Sequence, residues 1–204
     1  MDRAGENRVP SSPLDDEALV SLAAAGDREA REALARSSLT RVRRIVHLTT
    51  RGGNEADDIV QMALSRAFSR LHTFRGESKF TTWLDRVTIN TVREHYRSRP
   101  LVHLFFNAEK PAETNAPKSE SPERRAQAER LLLSLRQHLD AIRPKKRIAL
   151  VLFAVYGYTM SEIGSMVGCS VETAKKRVQH GRRELLERLR RDPTTACRIE
   201  ELDR

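Results

Sequence analysis

Apolar residues recur at every third or fourth position through most of this 204-residue chain, and no stretch of useful length alternates with the two-residue period of a β-strand. This pattern predicts an all-α protein. It is interrupted at residues 100–121, where three prolines lie among Asn, Ser, Lys and Glu around an apolar island at residues 101–106. We therefore expect two small helical domains, at residues 14–99 and 122–192, joined by a flexible linker. A disordered N-terminus (1–13) and a C-terminal tail (193–204) would flank them.

The composition favours small helical cores and a polyanionic partner. Charged residues make up 32% of the chain, aromatic residues 5%, and the net charge is +9. Cys169 and Cys197 lie far apart without a CxxC pair, so neither a disulfide framework nor a metal site is expected, as is usual in a reducing cytoplasm. The N-terminus lacks the apolar core of a signal peptide, and the longest apolar run, residues 148–156, is about half of the ~20 residues that cross a bilayer. We expect a cytoplasmic protein without membrane insertion or cofactor.

Glycines and capping residues divide the first domain into five predicted helices. The first begins at Leu14, a short second one follows residues 26–27, and a third ends at residues 52–53. The fourth begins after the N-cap Asn54, and the fifth covers residues 80–97. The side chains expected to face the core from the first four helices are Leu19, Leu22, Ala23, Ala30, Ala33, Leu34, Leu39, Val42, Ile45, Val46, Leu48, Ile59, Val60, Ala63, Leu64, Ala67, Phe68 and Leu71.

In the second domain, residues 159–171 have the pattern of a helix-turn-helix. Counted from Met160, Gly164 takes the fifth position, where two helices cross closely, and Gly168 takes the ninth, where the turn needs a positive φ. Thr159 is predicted to form a capping box with the acid three residues later. A long second helix should follow, from the N-cap at position 170 to about position 191.

The outward face of that second helix is strongly basic. Residues 141–191 contain twelve Lys or Arg and four Glu, a balance of +8 within the total of +9. A helical hairpin with a solvated charged face is the plain alternative, but the charge bias favours DNA binding. Arg and Lys would contact phosphates, while Lys and Gln also reach base edges in the major groove. The residues predicted to bind DNA here are Ser170, Thr173, Lys175, Lys176, Arg177, Gln179, His180, Arg182 and Arg183.

Several motifs in the first domain, in their order along the chain, carry a family resemblance. They are Ala25-Gly26-Asp27 with Ala33-Leu34, then Asp57-Asp58-Ile59-Val60-Gln61, Phe74-Arg75-Gly76, Phe80-Thr81-Thr82-Trp83-Leu84 and Asn90. Together they resemble region 2 of bacterial extracytoplasmic-function (ECF) sigma factors, and residues 131–190 are similar to region 4 of the same family. The resemblance implies a promoter-specificity subunit of RNA polymerase that recognises −35 and −10 elements. It also implies as partners core RNA polymerase (the β′ clamp helices and the β flap), promoter DNA and an anti-sigma factor.

The resemblance implies two sites in the first domain. Asp58 and Gln61 would contact core polymerase, whereas capping is the preferred role of Asp57. Met62 departs from the family, which usually carries an acid there. The loop at residues 74–79 would receive a flipped base of the −10 element, for which an apolar pocket with hydrogen-bond donors and a basic rim is suitable. The residues assigned to this −10 site are Phe74, Lys79, Phe80, Arg86, Asn90 and Arg93, with Phe80 open between core and base contact and Trp83 favoured as core.

Two rival functions are less well supported. A helix-turn-helix regulator that acts without core polymerase would need a receiver-type or dimerisation element, and neither pattern is visible. An enzyme using Asp57 and Asp58 would need further acids, because adjacent carboxylates on a helix point about 100° apart and chelate a metal poorly. No Ser/His/Asp set or phosphate loop is found, so no catalytic residue is assigned.

Overall fold

The computed structural model describes residues 17–98 and 122–196, and within them every regular element is helical. The all-α prediction is confirmed. The predicted N-terminus, the linker with its apolar island, and most of the tail lie outside the described residues. The helices are α1 (Glu17–Ala25), α2 (Arg28–Thr49), α3 (Asn54–Ser69), α4 (Phe80–Ser98), α5 (Pro122–Asp140), α6 (Pro144–Ala154), α7 (Met160–Val167) and α8 (Val171–Arg191), with a 3-10 turn at Leu71–Thr73.

Helix α2 is the centre of the first group of helices. It packs against α1, α3 and α4, and its buried side chains include Leu34, Val42 and Ile45. The prediction of two separate helices here is wrong, because α2 continues without a break from Arg28 to Thr49. The Ser37 hydroxyl donates to the carbonyl oxygens of residues 33 and 34, so this serine bonds back within the helix and caps nothing.

Three further details of the first domain differ from the prediction. Leu22 is 56% exposed, because α1 presents Val20 and Ala23 to the core. Leu39 is also exposed, at 37%. The N-cap residue of α3 is Gly53, with a φ of 77°, and Asn54 is the first helical residue. Helix α1 has nine residues and buries only a narrow edge, so the helices packed against it decide which of its residues lie in the core.

The second group of helices is built around α8, which packs against α5, α6 and α7. Pro144 begins α6, and Asp192 is the C-cap of α8, whose end agrees with the predicted position of about 191. The two groups also touch each other: α6 packs against α2, and α7 packs against α4. This contact brings the predicted −10 helix, α4, against the helix-turn-helix.

Candidate nucleic-acid interface

The helix-turn-helix has the local geometry that its sequence predicts. The Thr159 hydroxyl accepts from the backbone N–H of Glu162 at 3.3 Å, and the Glu162 carboxylate accepts from the backbone N–H of Thr159 at 2.8 Å. This reciprocal capping box stabilises the start of α7. Ser170 caps α8 in the same way, since its hydroxyl accepts from the backbone N–H of Thr173 at 3.2 Å.

Both glycines of the motif are required by the backbone. Gly168 ends α7 in the left-handed region, with φ 60° and ψ 56°. A Cβ atom at Gly164 would lie 2.8 Å from the carbonyl oxygen of Cys169. The close approach at Gly164 is therefore to the turn itself, and it sets the angle at which α8 leaves α7.

Helix α8 presents its basic residues away from the core. Its buried edge contains Ala174, Val178, Gly181 and Leu189. Of the predicted −35 set, Thr173 and Arg177 are half-buried on one flank of α8. The other residues of the set are exposed, namely Ser170, Lys175, Lys176, Gln179, His180, Arg182 and Arg183. Lys176, Gln179 and Arg183 recur at intervals of three and four residues and share the outermost face. This face can enter a major groove, where its side chains would point toward the base edges.

Helix α4 carries a second polar stripe. Lys79 precedes the helix, and Arg86, Asn90 and Arg93 follow at intervals that keep all four on one side. Lys79 and Arg86 are exposed, whereas Asn90 and Arg93 are half-buried. The Arg93 guanidinium donates to the Asn90 side-chain oxygen at 3.2 Å and to the carbonyl oxygen of Met166 at 3.4 Å. The stripe therefore runs directly into the helix-turn-helix.

The electrostatics of this junction are unfavourable for a cation. Partial burial lowers the pKa of Arg93, and the positive charges of Arg97 and Arg177 lower it further. Arg93 belongs to the predicted −10 set and Arg177 to the predicted −35 set. The structure thus brings one residue of each set into the same positive cluster.

An aromatic cluster lies at the predicted base-binding loop, residues 74–79. The ring centroids of Phe74, Phe80 and Trp83 lie 5.7–5.8 Å apart, with Phe74 and Phe80 edge to face. Phe80 is 3% exposed and belongs to the core, while Phe74 and Trp83 are half-buried. Of the three rings, only Phe74 and Trp83 present surface on which a base could stack.

The predicted polymerase-binding edge lies on α3. Asp58 and Gln61 are exposed, and Met62 beside them is 38% exposed. The opposite edge of the helix is buried through Ile59 and Ala63. The structure therefore presents one acid, one amide and one apolar side chain together at the surface.

Asp85 and its partners were not anticipated. The Asp85 side chain is fully buried, accepts two hydrogen bonds of 2.7 Å from Arg41, and accepts a third of 2.7 Å from the Tyr158 hydroxyl. Burial and the Asp85 carboxylate raise the pKa of Tyr158 still further above neutral pH, and the protonated hydroxyl donates to Asp85. A signal was present in the sequence, because Asp85 recurs with the buried Thr88 and Val92 on the inner face of α4. An acid on such a face needs a buried partner.

Within residues 17–98 and 122–196, no helix is long and apolar enough to cross a membrane. The same residues contain no group of three or more His, Cys, Asp or Glu side chains that could hold a metal ion.

Two parts of the chain match known family models. Residues 34–100 match the family model for sigma-70 region 2, and residues 132–185 match the model for sigma-70 region 4. The RNA polymerase sigma-H factor of Pseudomonas aeruginosa is 28% identical over 82% of this chain and 90% of its own length. The ECF RNA polymerase sigma-E factor of Escherichia coli is 29% identical over 84% of this chain and 93% of its own length.

Two solved structures share the fold. CnrH in complex with the cytosolic domain of CnrY has a TM-score of 0.61 at 23% identity, covering 88% of this chain and 99% of that one. The sigma factor RpoE of Bartonella quintana, in complex with the anti-sigma factor NepR, has a TM-score of 0.61 at 22% identity, covering 81% and 98%. The two regional matches in their expected order, the helix-turn-helix geometry and the full-length relatives lead to one conclusion: the chain belongs to the extracytoplasmic-function family of RNA polymerase sigma factors.

Proposed function

We propose that this sigma factor binds core RNA polymerase through α3, opens the −10 element along α4, and reads the −35 element with α8. The observation that carries the proposal is the presence of two polar and basic surfaces on one chain, one along α4 and one on α8. One is the stripe formed by Lys79, Arg86, Asn90 and Arg93, and the other is the outer face of α8. A regulator that reads a single operator has no use for the first surface.

The boundaries of the functional units follow from this division of labour. Residues 14–99 would bind core polymerase and the −10 element, and residues 122–192 would bind the −35 element. Residues 100–121 would link them, with 1–13 and 193–204 as terminal extensions. The β′ clamp helices are the proposed partner of Asp58 and Gln61, and the β flap is the proposed partner of the second domain.

For the −10 element, an unstacked base needs an aromatic surface, hydrogen-bond donors and a basic rim. Phe74 and Trp83 supply the aromatic surface, with Phe80 supporting them from the core. Asn90 offers both a donor and an acceptor, while Lys79 and Arg86 are placed to hold the backbone of a single strand. All these side chains lie at one end and along one face of α4.

For the −35 element, Lys176 and Gln179 are placed to read base edges and Arg182 and Arg183 to contact phosphates. The protein would act without a catalytic residue, metal or cofactor of its own and would function in the cytoplasm, where core polymerase is found. An anti-sigma factor is the proposed regulator, because the RpoE relative of known structure is bound to one.

Run-off transcription with purified core enzyme on a genomic promoter library tests the proposal. Core enzyme alone is the control, and transcripts that depend on the added protein are the expected result. The Asn90→Ala variant should transcribe poorly from duplex templates and recover on templates with a pre-opened −10 bubble. Sequence-specific DNA binding without any core-dependent transcript would instead favour a regulator that acts without polymerase.

A further inference from the structure

Three arginines lie around the turn between α2 and α3, and the proposed function uses none of them. Arg43 is exposed near the end of α2, Arg51 is exposed on the turn itself, and Arg136 reaches the turn from α5. His47 follows Arg43 by four residues and therefore lies on the same face of α2. Arg43, Arg51 and Arg136 together form an arginine cluster.

Arg136 packs directly onto this turn. Its guanidinium nitrogen Nη2 lies 3.4 Å from the His47 ring nitrogen Nδ1. A Cβ atom at Gly52 would clash with the same Nη2 atom, and Gly52 has a φ of 77°. Only glycine at position 52 therefore leaves room for the guanidinium. Because Arg136 is half-buried and not enclosed, a ligand in solvent can reach part of its side chain.

His47 orients Arg136 without neutralising it. An arginine side chain only donates hydrogen bonds, so Nδ1 of His47 accepts and the ring proton lies on Nε2. Burial lowers the pKa of this ring, and so does the charge of Arg136, while Asp57 raises it in part and Arg43 lowers it again. The neutral form of the imidazole is therefore favoured. It holds the guanidinium in place but supplies no negative charge to balance it.

The acid one turn along α5 is already paired. Asp140 follows Arg136 by four residues and accepts a hydrogen bond of 2.8 Å from Arg147. Burial raises the pKa of this carboxyl group, whereas the charges of Arg147, Arg136 and Arg51 lower it. Arg136 and Arg51 thus lie close enough together to act on one carboxylate, and that carboxylate is bonded to a third arginine.

The acids of α3 balance only part of the remaining charge. Glu55, in the first turn of α3, lies 3.6 Å from the ring nitrogen Nε2 of His95. Asp57 is exposed and near enough to raise the pKa of His47, so one acid and two arginines act on that ring. The turn keeps an excess of positive charge. Like charges held together repel each other, and an anion bound among them removes this repulsion.

We propose that Arg51 and Arg136, with Arg43 beside them, bind a phosphate group at the turn between α2 and α3. A guanidinium presents a planar pair of donors that matches two phosphate oxygens. A small phosphorylated ion carries several negative charges and balances several arginines at once. The phosphate group belongs either to such an ion or to the backbone of a nucleic acid. The site uses residues outside the stripe of α4 and the outer face of α8, so it does not depend on the proposed function.

Isothermal titration calorimetry of the full chain with pyrophosphate, at fixed ionic strength, tests the site. Arg136→Gln should weaken binding roughly 10- to 100-fold, because charge-assisted hydrogen bonds are lost. Arg130→Gln removes the same charge from an exposed position on the same helix and should bind as the wild type does. Arg136→Lys keeps the charge without the planar fork and should have an affinity between those of the wild type and Arg136→Gln. An equal loss in Arg130→Gln and Arg136→Gln would overturn the site, because net charge alone would then explain the binding.

His47 is the positioning residue of this site and has its own test. His47→Gln keeps a hydrogen-bond acceptor for Arg136 and should bind pyrophosphate nearly as the wild type does. His47→Leu removes the acceptor and should weaken binding, because the guanidinium is no longer oriented. Circular dichroism should show unchanged helix content in both variants. The same affinity in both would contradict the positioning role of His47.

A second probe identifies the source of the phosphate group. It is a single-stranded DNA oligonucleotide without promoter sequence, titrated into the same variants. Pyrophosphate binding that depends on Arg136 indicates a small phosphorylated ion. Binding of the oligonucleotide alone, weakened by Arg136→Gln but not by Arg130→Gln, indicates the backbone of a nucleic acid. If the binding of neither probe depends on Arg136, the turn has no phosphate site and the proposal is wrong.

Discussion

Gly164 approaches the carbonyl oxygen of Cys169 so closely that a Cβ atom at position 164 would lie 2.8 Å from it. Such a contact is too short for any side chain, and the atom it would meet belongs to the backbone of the turn. The amino acid at position 164 in α7 therefore affects the direction in which α8 leaves the turn.

Gly164→Ala should destabilise the second domain although alanine favours helices. The propensity gain is about 1 kcal/mol, whereas a forced backbone shift typically costs ~1–3 kcal/mol. We expect a net loss of up to about 2 kcal/mol and a Tm lower by up to roughly 8 °C. Thermal unfolding followed by circular dichroism measures it. Ser165→Ala, exposed on the same helix, is the control and should change Tm little. A Gly164→Ala protein with the same Tm as this control would show that the turn can shift without a loss of stability.

The exposed edge of α3 predicts the effect of a double substitution on holoenzyme assembly. Asp58→Arg with Gln61→Ala should weaken binding to core polymerase by roughly 10-fold or more, because reversed charge at an interface opposes association. Both side chains are exposed, so helix content should not change. Glu29→Arg makes a similar charge change at an exposed site on α2 and should bind as the wild type does. Fluorescence anisotropy with core enzyme measures both affinities, and unchanged binding in the double variant would place the interface elsewhere.

The outer face of α8 predicts two distinguishable defects. Lys176→Ala with Gln179→Ala should lower transcription most where the −35 sequence is optimal, because a lost base contact costs ~1–3 kcal/mol and relaxes preference. Arg183→Ala removes a predicted phosphate contact and should weaken all promoters alike while reducing the dependence on salt. Run-off from promoters with graded −35 sequences at two salt concentrations separates the cases. The same profile in both variants would contradict a division between base reading and phosphate binding.

His47 predicts that acid lowers the stability of the folded protein. Burial lowers the pKa of His47, and so does the charge of Arg136 from the second domain, whose guanidinium lies 3.4 Å from the His47 ring nitrogen Nδ1. Asp57 raises this pKa in part, and Arg43 lowers it further. Below the unfolded value near 6.5, the unfolded chain binds a proton that the folded chain resists. Stability should therefore be unaffected by His47 above pH 6.5 and should fall as the pH decreases from there toward the depressed folded pKa.

The measurement for His47 is Tm as a function of pH between 5.5 and 7.5 at fixed ionic strength. His47→Gln keeps a hydrogen-bond acceptor but cannot titrate, so its Tm should change less across this range. A wild type and variant with parallel profiles would remove His47 as the cause of the loss.

The sequence by itself determined the elements whose signals are local. The capping box of Thr159 and Glu162, the left-handed Gly168 and the N-cap Ser170 involve residues no more than five positions apart. Their hydrogen bonds form as soon as the turn forms, so residue type and spacing suffice to predict them. The all-α architecture and the family resemblance could be read in the same way, from periodicity and from motifs in their order.

Only the tertiary structure decided which residues meet across the chain. Asp85 and Tyr158 are 73 positions apart, as are Arg93 and Met166, and no local period indicates that they touch. Burial was decided in the same way: Leu22 is exposed and Phe80 lies in the core, although both stand at apolar positions of a helical pattern. The physical reason is that a helix offers several possible faces, and the free energy gained on burial depends on what the neighbouring helices cover.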